Sequence, residues 1–66
     1  MQLMELLWSP SIGDDTVIEL VNKVTGERIK GNWLDGRIVN YSENTIYHMD
    51  WDVNRNYLFV IMNDDN

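Results

Sequence analysis

The residues best suited to chemistry lie in one short segment, IYHMDWD, at positions 46–52. It holds the only histidine of the chain, His48, with Asp50 and Asp52 two and four residues further on. Histidine and aspartate bind metals and exchange protons, and imidazole titrates near neutral pH. On a β-strand the three side chains would share one face. The segment therefore raises three hypotheses: a metal site, an acid–base pair or a pH sensor.

The same alternation has a structural explanation. Tyr47, Met49 and Trp51 fill the intervening positions, a pattern typical of a strand with one apolar and one polar side. No second histidine and no cysteine is present to complete a transition-metal site. We therefore predict a strand with a solvated polar side and no metal.

The rest of the chain offers little for catalysis. It has no glycine-rich phosphate loop and no cysteine nucleophile, and its three serines at 9, 11 and 42 fall in predicted loops. Asp14 and Asp15 could offer oxygens to calcium, but the spacing of a calcium loop is missing, so turn chemistry explains them. We expect a protein that is not an enzyme and needs no cofactor.

Length and charge limit the remaining functions. The 66 residues suffice for one small domain, 1–66, with an acidic, frayed tail from about residue 63. Eleven acidic and five basic residues give a net charge of −6, which opposes binding to nucleic acids and anionic membranes. No apolar run reaches the roughly 20 residues of a membrane span, and no secretion signal is visible. A cytoplasmic protein without membrane contact is expected.

Turn signals divide the chain into short strands. The segment 22–27 resembles a hairpin connection with Gly26 in the left-handed conformation, and Asp35-Gly36 is the strongest two-residue hairpin signal known. Further turns are predicted at 42–45 and 52–56. The predicted strands are 16–21, 28–34, 37–41, 45–51 and 57–62.

The register can be predicted from the turns. Closing the first hairpin places Leu20 opposite Ile29, an apolar pair, and Glu19 opposite Lys30, a pair of opposite charges. Closing the second and third hairpins places Ile38 opposite Trp33 and then opposite Met49, and Arg37 opposite Asp50.

These pairings define two faces of a sheet. The predicted dry face carries Ile18, Leu20, Ile29, Trp33, Ile38, Tyr47, Met49 and Trp51. The predicted wet face carries Glu19, Arg28, Lys30, Asn32, Arg37, His48, Asp50 and Asp52, with Val17, Val21, Val39, Tyr41 and Ile46 among them. One dry and one wet side are typical of an antiparallel sheet.

Three segments leave alternatives open. Residues 16–24 also fit a helix with a capping box and Gly26 as its stop, although their many β-branched residues favour a strand. Residues 1–8 suit either a strand or one to two turns of helix. Residues 57–62, YLFVIM, are apolar on both sides, which predicts a buried central strand or a strand that pairs with 1–8 to close a barrel.

The predicted fold is therefore mainly β. We expect a five- or six-stranded antiparallel meander curled into a small barrel or sandwich, with a short N-terminal helix as an option.

Binding is the function class that remains. The first hypothesis is a small acidic module that binds a larger, basic protein, for example a phage or mobile-element inhibitor of a nucleic-acid-handling protein. The second is a small β-barrel that binds single-stranded nucleic acid, which the net charge disfavours. A homo-oligomeric structural protein, such as a homodimer, is the third. The predicted contact residues are Arg37, Tyr41, His48, Asp50 and Asp52.

Overall fold

A computed structural model describes residues 1–64 of the chain. Its elements in chain order are α1 (Leu3–Leu7), β1 (Val17–Asn22), β2 (Arg28–Gly31), α2 (Gly36–Val39), β3 (Ile46–Asp52) and β4 (Tyr57–Met62). The strands form one sheet in the order β2-β1-β4-β3. The fold is mainly β with a short N-terminal helix, as expected. The described chain has four strands where five or six were predicted, and the sheet is not closed into a barrel.

The hairpin of β1 and β2 has the predicted register. Leu20 pairs with Ile29, and Glu19 pairs with Lys30. Its turn contains Gly26 with a φ of 76°, a conformation that costs glycine little. The helical alternative for residues 16–24 is wrong, since β-branched side chains and cross-strand pairing outweigh the local capping pattern.

The buried amide of Asn22 anchors this turn. Its Oδ1 accepts from the backbone N–H groups of Val24 at 2.8 Å and Thr25 at 3.1 Å, while its Nδ2 donates to the hydroxyl of Tyr41 at 3.0 Å. A buried polar group that keeps its hydrogen bonds avoids the desolvation penalty. The turn is therefore tied to the segment that follows α2.

Strand β4 lies in the middle of the sheet, which is one of the two positions predicted for it; the alternative pairing with residues 1–8 is wrong, since that segment forms α1. It runs parallel to β1, with Phe59 beside Glu19, and antiparallel to β3, with Phe59 beside Asp50. Parallel neighbours need a long crossover connection, which the stretch from β2 through α2 to β3 supplies. The sheet is therefore mixed, and the prediction of a purely antiparallel meander is wrong.

Strand β3 is an edge strand with an irregularity between Ile46 and His48. Tyr47, predicted on the dry face, is 58% exposed, and the Lys23 ammonium lies 3.9 Å from its ring centroid. The predicted turn between β3 and β4 is present and ends at Asn56, which has a φ of 54°. Asparagine tolerates this left-handed conformation better than most residues.

The predicted strand 37–41 does not exist, and Asp35-Gly36 is not a hairpin turn. Asp35 is the N-cap of α2, and its Oδ1 accepts from the backbone N–H of Arg37 at 2.9 Å. The two-residue hairpin turn requires positive φ, whereas Asp35 has a φ of −64° and Gly26 is the only glycine with positive φ in residues 1–64. Aspartate is favoured both in tight turns and at helix N-caps, so the dipeptide alone did not decide between them.

Residues 1–8 contain the helix α1. The Glu5 carboxylate accepts from the backbone N–H of Gln2 at 2.7 Å, and Gln2 bridges to Thr45 ahead of β3. Leu3 and Leu7 are buried against one face of the sheet. The helical alternative is therefore correct for this segment.

The core is a single layer between the sheet and the two helices. Its buried members are Leu3, Leu7, Ile18, Leu20, Ile29, Ile38, Leu58, Val60 and Met62. Three of the predicted dry-face residues belong to it as strand residues, while Ile38 reaches it from α2; Trp33 and Trp51 pack against it. Met49 is 37% exposed, since β3 lies at the edge.

The first residue of the predicted tail, Asn63, is held by hydrogen bonds to the rest of the chain. The Asn63 N–H donates to the Thr45 carbonyl at 2.9 Å, and the Asn63 carbonyl accepts from the side chain of Asn44 at 3.1 Å. Asp65 and Asn66, which belong to the same prediction, lie outside the described residues.

Candidate functional site

Within residues 1–64, no helix covers the second face of the sheet, which we call the open face. Burial alternates along β1 and β4, so that every second residue points away from the core. Cross-strand pairing assigns the following side chains to the open face: Val17, Glu19, Val21, Arg28, Lys30, His48, Asp50, Asp52, Tyr57, Phe59 and Ile61. Five of them are half-buried apolar or aromatic side chains on the two central strands.

The pairing arranges the open face in three rows across the strands. The middle row reads Lys30, Glu19, Phe59, Asp50 from β2 to β3. The rows on either side are Arg28, Val21, Ile61, His48, and Val17, Tyr57, Asp52. The centre is therefore mainly apolar, the β2 edge is basic and the β3 edge is acidic apart from His48.

Glu19 is the charged residue at the centre of the open face. Its Oε1 accepts from the Tyr57 hydroxyl, and its Oε2 accepts from Arg28 Nη1 at 2.6 Å. The hydrogen bond from Tyr57, followed by the Arg28 contacts, holds the pKa of Glu19 below its ordinary value despite partial desolvation. The same bond raises the pKa of the Tyr57 hydroxyl. Both carboxylate oxygens are thus engaged within the chain.

Three of the predicted contact residues lie on the open face. His48 and Asp50 are exposed at the β3 edge, and Asp52 is half-buried. Asp52 pairs with Arg55 in the following turn at 3.6 Å, an exposed pair of small energetic value. The prediction that His48, Asp50 and Asp52 share a face is confirmed by the strand register.

Arg37 and Tyr41 lie away from the open face, because their segment forms α2 and the turn after it. Arg37 forms an ion pair with Asp35 at 2.7 Å, which lowers the pKa of Asp35 and raises that of Arg37. The Tyr41 hydroxyl donates to Glu27 at 3.2 Å. The predicted cluster of Arg37 and Tyr41 with His48 is therefore wrong. Their role in binding a partner stays a prediction.

An open cleft of about 460 Å³ adjoins these two residues. Arg28, Arg37, Tyr41 and Glu27 contribute polar groups to its wall. Each of these four side chains already forms a hydrogen bond with another group of the chain. These four groups are therefore already engaged within the chain.

A smaller groove lies on the covered side of β3. It is lined by Leu6, Ile12, Met49 and Trp51, together with two loop serines, and has a volume of about 250 Å³. It is mostly apolar and shallow, and it lies at the rim of the core.

The sequence did not predict the apolar centre of the open face. Tyr57, Phe59 and Ile61 belong to the segment YLFVIM, which was expected to be covered on both sides. In the described part of the chain, both helices cover the same face, so these side chains stay half-buried. The sequence did contain a signal for an exposed apolar centre: this strand is apolar on both sides, and the chain is too short to cover both.

The described residues contain no cluster of side chains that could bind a metal ion. Within residues 1–64, no three histidine, aspartate or glutamate side chains come together as a set of metal ligands. Nor does this part of the chain contain a helix of the length and apolar character needed to cross a bilayer.

Comparison of the chain with protein-family models, with curated proteins and with solved structures gives no match.

Proposed function

We propose that this chain is a small, non-catalytic protein-binding module that contacts its partner through the open face. The observation that carries the proposal is the line of half-buried side chains along the central strand β4, namely Tyr57, Phe59 and Ile61. Charged residues lie at both edges of the sheet. Protein interfaces typically combine an apolar, aromatic centre with a polar rim. A sheet surface of this composition loses solvent-exposed apolar area when another protein covers it.

The charges of the open face restrict the partner. Although the net charge of −6 favours a basic protein, the face itself carries Arg28 and Lys30 beside its three carboxylates. A purely basic partner surface would be repelled by these two cations. An inhibitor of a basic nucleic-acid-handling protein remains one form of the proposal, and a partner with both charge signs matches the face better.

The proposal is tested by affinity capture from lysate of the source cell, with mass spectrometry of the retained proteins. We expect Phe59→Lys, which places a charge at the centre of the open face, to lose a protein that the wild-type chain retains. Val24→Lys is the matched control, because Val24 is 71% exposed in the β1–β2 turn. Circular dichroism verifies that both variants are folded. Equal capture by all three chains contradicts the proposal.

A second candidate function is binding of single-stranded nucleic acid on the same face. It is favoured by Tyr57 and Phe59, two rings at adjacent outward positions of β4, with the Lys30 ammonium 5.4 Å from the Tyr57 ring centroid. Aromatic rings beside cations can stack and hold splayed bases. A titration with labelled oligonucleotides across a salt series tests it: binding should weaken steeply with salt and be lost in Phe59→Lys. No binding at low salt removes this candidate.

A further inference from the structure

The middle row of the open face has opposite charges at its two ends. Lys30 lies on the β2 edge and Asp50 on the β3 edge, three strand spacings or about 14 Å apart. Among the described residues, neither of these two side chains forms an ion pair within the chain. Lys30 lies beside Glu19 and near the Tyr57 ring, and Asp50 lies beside Phe59, so the two edges carry exposed charges of opposite sign.

We propose that the open face binds a second copy of this chain, related by a two-fold axis that runs parallel to the strands between β1 and β4. This inference rests on the proposed protein-binding function of the open face and names its partner. Such a rotation turns the second sheet over and exchanges its two edges. The β2 edge of each copy then lies over the β3 edge of the other.

The rotation also keeps each row opposite the same row of the second copy. Lys30 of one copy lies over Asp50 of the second copy, and the pair occurs twice in the dimer. Stacked sheets are separated by about 10 Å, a gap that an extended lysine and an aspartate can bridge together. Ion pairs at both edges then fix the orientation of the two sheets.

The centre of the face is compatible with this contact. Ile61 lies over Val21 of the second copy, and Tyr57 lies over Val17 of the second copy, so the half-buried apolar residues cover one another. Phe59 lies over Glu19 of the second copy. Burial of that carboxylate is tolerable because Tyr57 and Arg28 already occupy its two oxygens.

The other two-fold arrangement of stacked sheets is repulsive. An axis perpendicular to the strands would place each β2 edge over the same edge of the second copy. With that axis along the middle row, Lys30 would face Lys30 of the second copy and Asp50 would face Asp50 of the second copy. The charge pattern therefore selects the axis parallel to the strands.

The size of the face limits the affinity. Four strands of about six residues span roughly 19 by 20 Å, about half of the area that each partner contributes to a standard interface. We expect a dimer that dissociates in the micromolar range and is therefore concentration-dependent.

Charge reversal tests the pairing directly. Lys30→Asp and Asp50→Lys should each weaken dimerisation about tenfold or more, because each places two pairs of like charges in contact. An equimolar mixture of the two variants should recover the dimer, since a mixed dimer contains two attractive pairs. Sedimentation equilibrium from micromolar to millimolar concentration measures all three samples. Glu43→Lys, an exposed change in the turn before β3, has the same net charge as Asp50→Lys and should dimerise like the wild type.

Zero-length carbodiimide cross-linking provides a second readout. In a mixture of isotopically light and heavy chains, we expect a mixed cross-link between Lys30 and Asp50. If the wild-type chain dimerises but the mixture of Lys30→Asp and Asp50→Lys does not, the proposed axis is overturned. A folded chain that stays monomeric at millimolar concentration overturns the second copy as partner. In that case, the proposed function would still be supported if the wild-type chain captured a different protein that Phe59→Lys does not capture. Equal capture by the wild-type chain and Phe59→Lys would contradict the proposed function as well.

Discussion

Glu19 joins three strands of the open face through a single carboxylate. It lies on β1, accepts from Tyr57 on β4 and forms an ion pair with Arg28 on β2. The bond to Tyr57 is strongest between an ionised Glu19 and a protonated phenol, which is why the pKa of the acid is lowered and that of the phenol is raised. The contribution of this bond to stability therefore depends on pH at both ends of the scale.

Tyr57→Phe should raise the pKa of Glu19 towards its ordinary value of 4.5 and destabilise the protein at neutral pH. The stability difference from wild type should shrink as the pH falls through the lowered pKa of Glu19, below 4.5. It should also shrink as the pH rises above 10.0, the ordinary value of the phenol, through its raised pKa.

Carbon NMR titration of the Glu19 carboxyl and urea denaturation across pH measure these effects. Tyr47→Phe is the control, because Tyr47 is exposed and its ring, which carries the contact with Lys23, is retained. An unchanged Glu19 titration in Tyr57→Phe would contradict the assigned cause of the shift.

At the scale of elements, α2 depends on the residue before it. A helix of four residues, Gly36–Val39, is too short to be stable in isolation. Asp35 satisfies the Arg37 amide and pairs with the Arg37 side chain, and Ile38 inserts into the core. The cap and the buried isoleucine together hold the connection between β2 and β3 in place.

Asp35→Ala should reduce the free energy of unfolding by about 1 kcal/mol, the usual loss when an N-cap acceptor is removed. Asp35→Asn should cost less, because its amide oxygen can still accept from the Arg37 N–H. Urea denaturation measures both changes. Asp15→Ala, in an exposed loop, serves as control and should stay within about 0.5 kcal/mol of wild type. Equal losses for the Asn and Ala variants would show that the cap bond is not the source.

Local signals predicted the elements whose partners are close in sequence. The β1–β2 register followed from a six-residue turn and two complementary pairs, Leu20 with Ile29 and Glu19 with Lys30. The prediction of a strand after Asp35 was wrong because the alternation around Ile38 fits a strand and a single helical turn equally well. Only the buried position of Ile38 above the sheet, a tertiary feature, separates the two.

The candidate site was predictable in part for the same reason. The shared face of His48, Asp50 and Asp52 follows from alternation within one strand. The neighbours of these residues depend on the parallel pairing of β1 with β4, where Glu19 meets Phe59 across a long stretch of chain. No local pattern specifies such a contact, so the neighbours of Phe59 on the open face were visible only in the folded structure.

At the scale of the whole molecule, stability depends on one small core. Leu58→Ala should lose about 2–5 kcal/mol, because Leu58 is fully buried in the middle of the sheet. A domain of this length is stabilised by only about 3–10 kcal/mol in total. The variant should therefore unfold at much lower urea concentration, with loss of the near-ultraviolet circular dichroism signal. Val53→Ala, at a position 69% exposed, should change little. A loss below about 1 kcal/mol for Leu58→Ala would contradict the assigned core.

The place of β4 in the sheet has a consequence for biosynthesis. The strand that joins β1 to β3 is the last of the four to be translated. While the ribosome is still adding residues 57–62, the β1–β2 hairpin has one apolar edge without a neighbour. Such unpaired edges are where nascent chains associate wrongly or meet chaperones. We therefore expect this sheet to assemble only after Met62 has left the exit tunnel, and stalled nascent chains that end before Tyr57 to remain sensitive to protease.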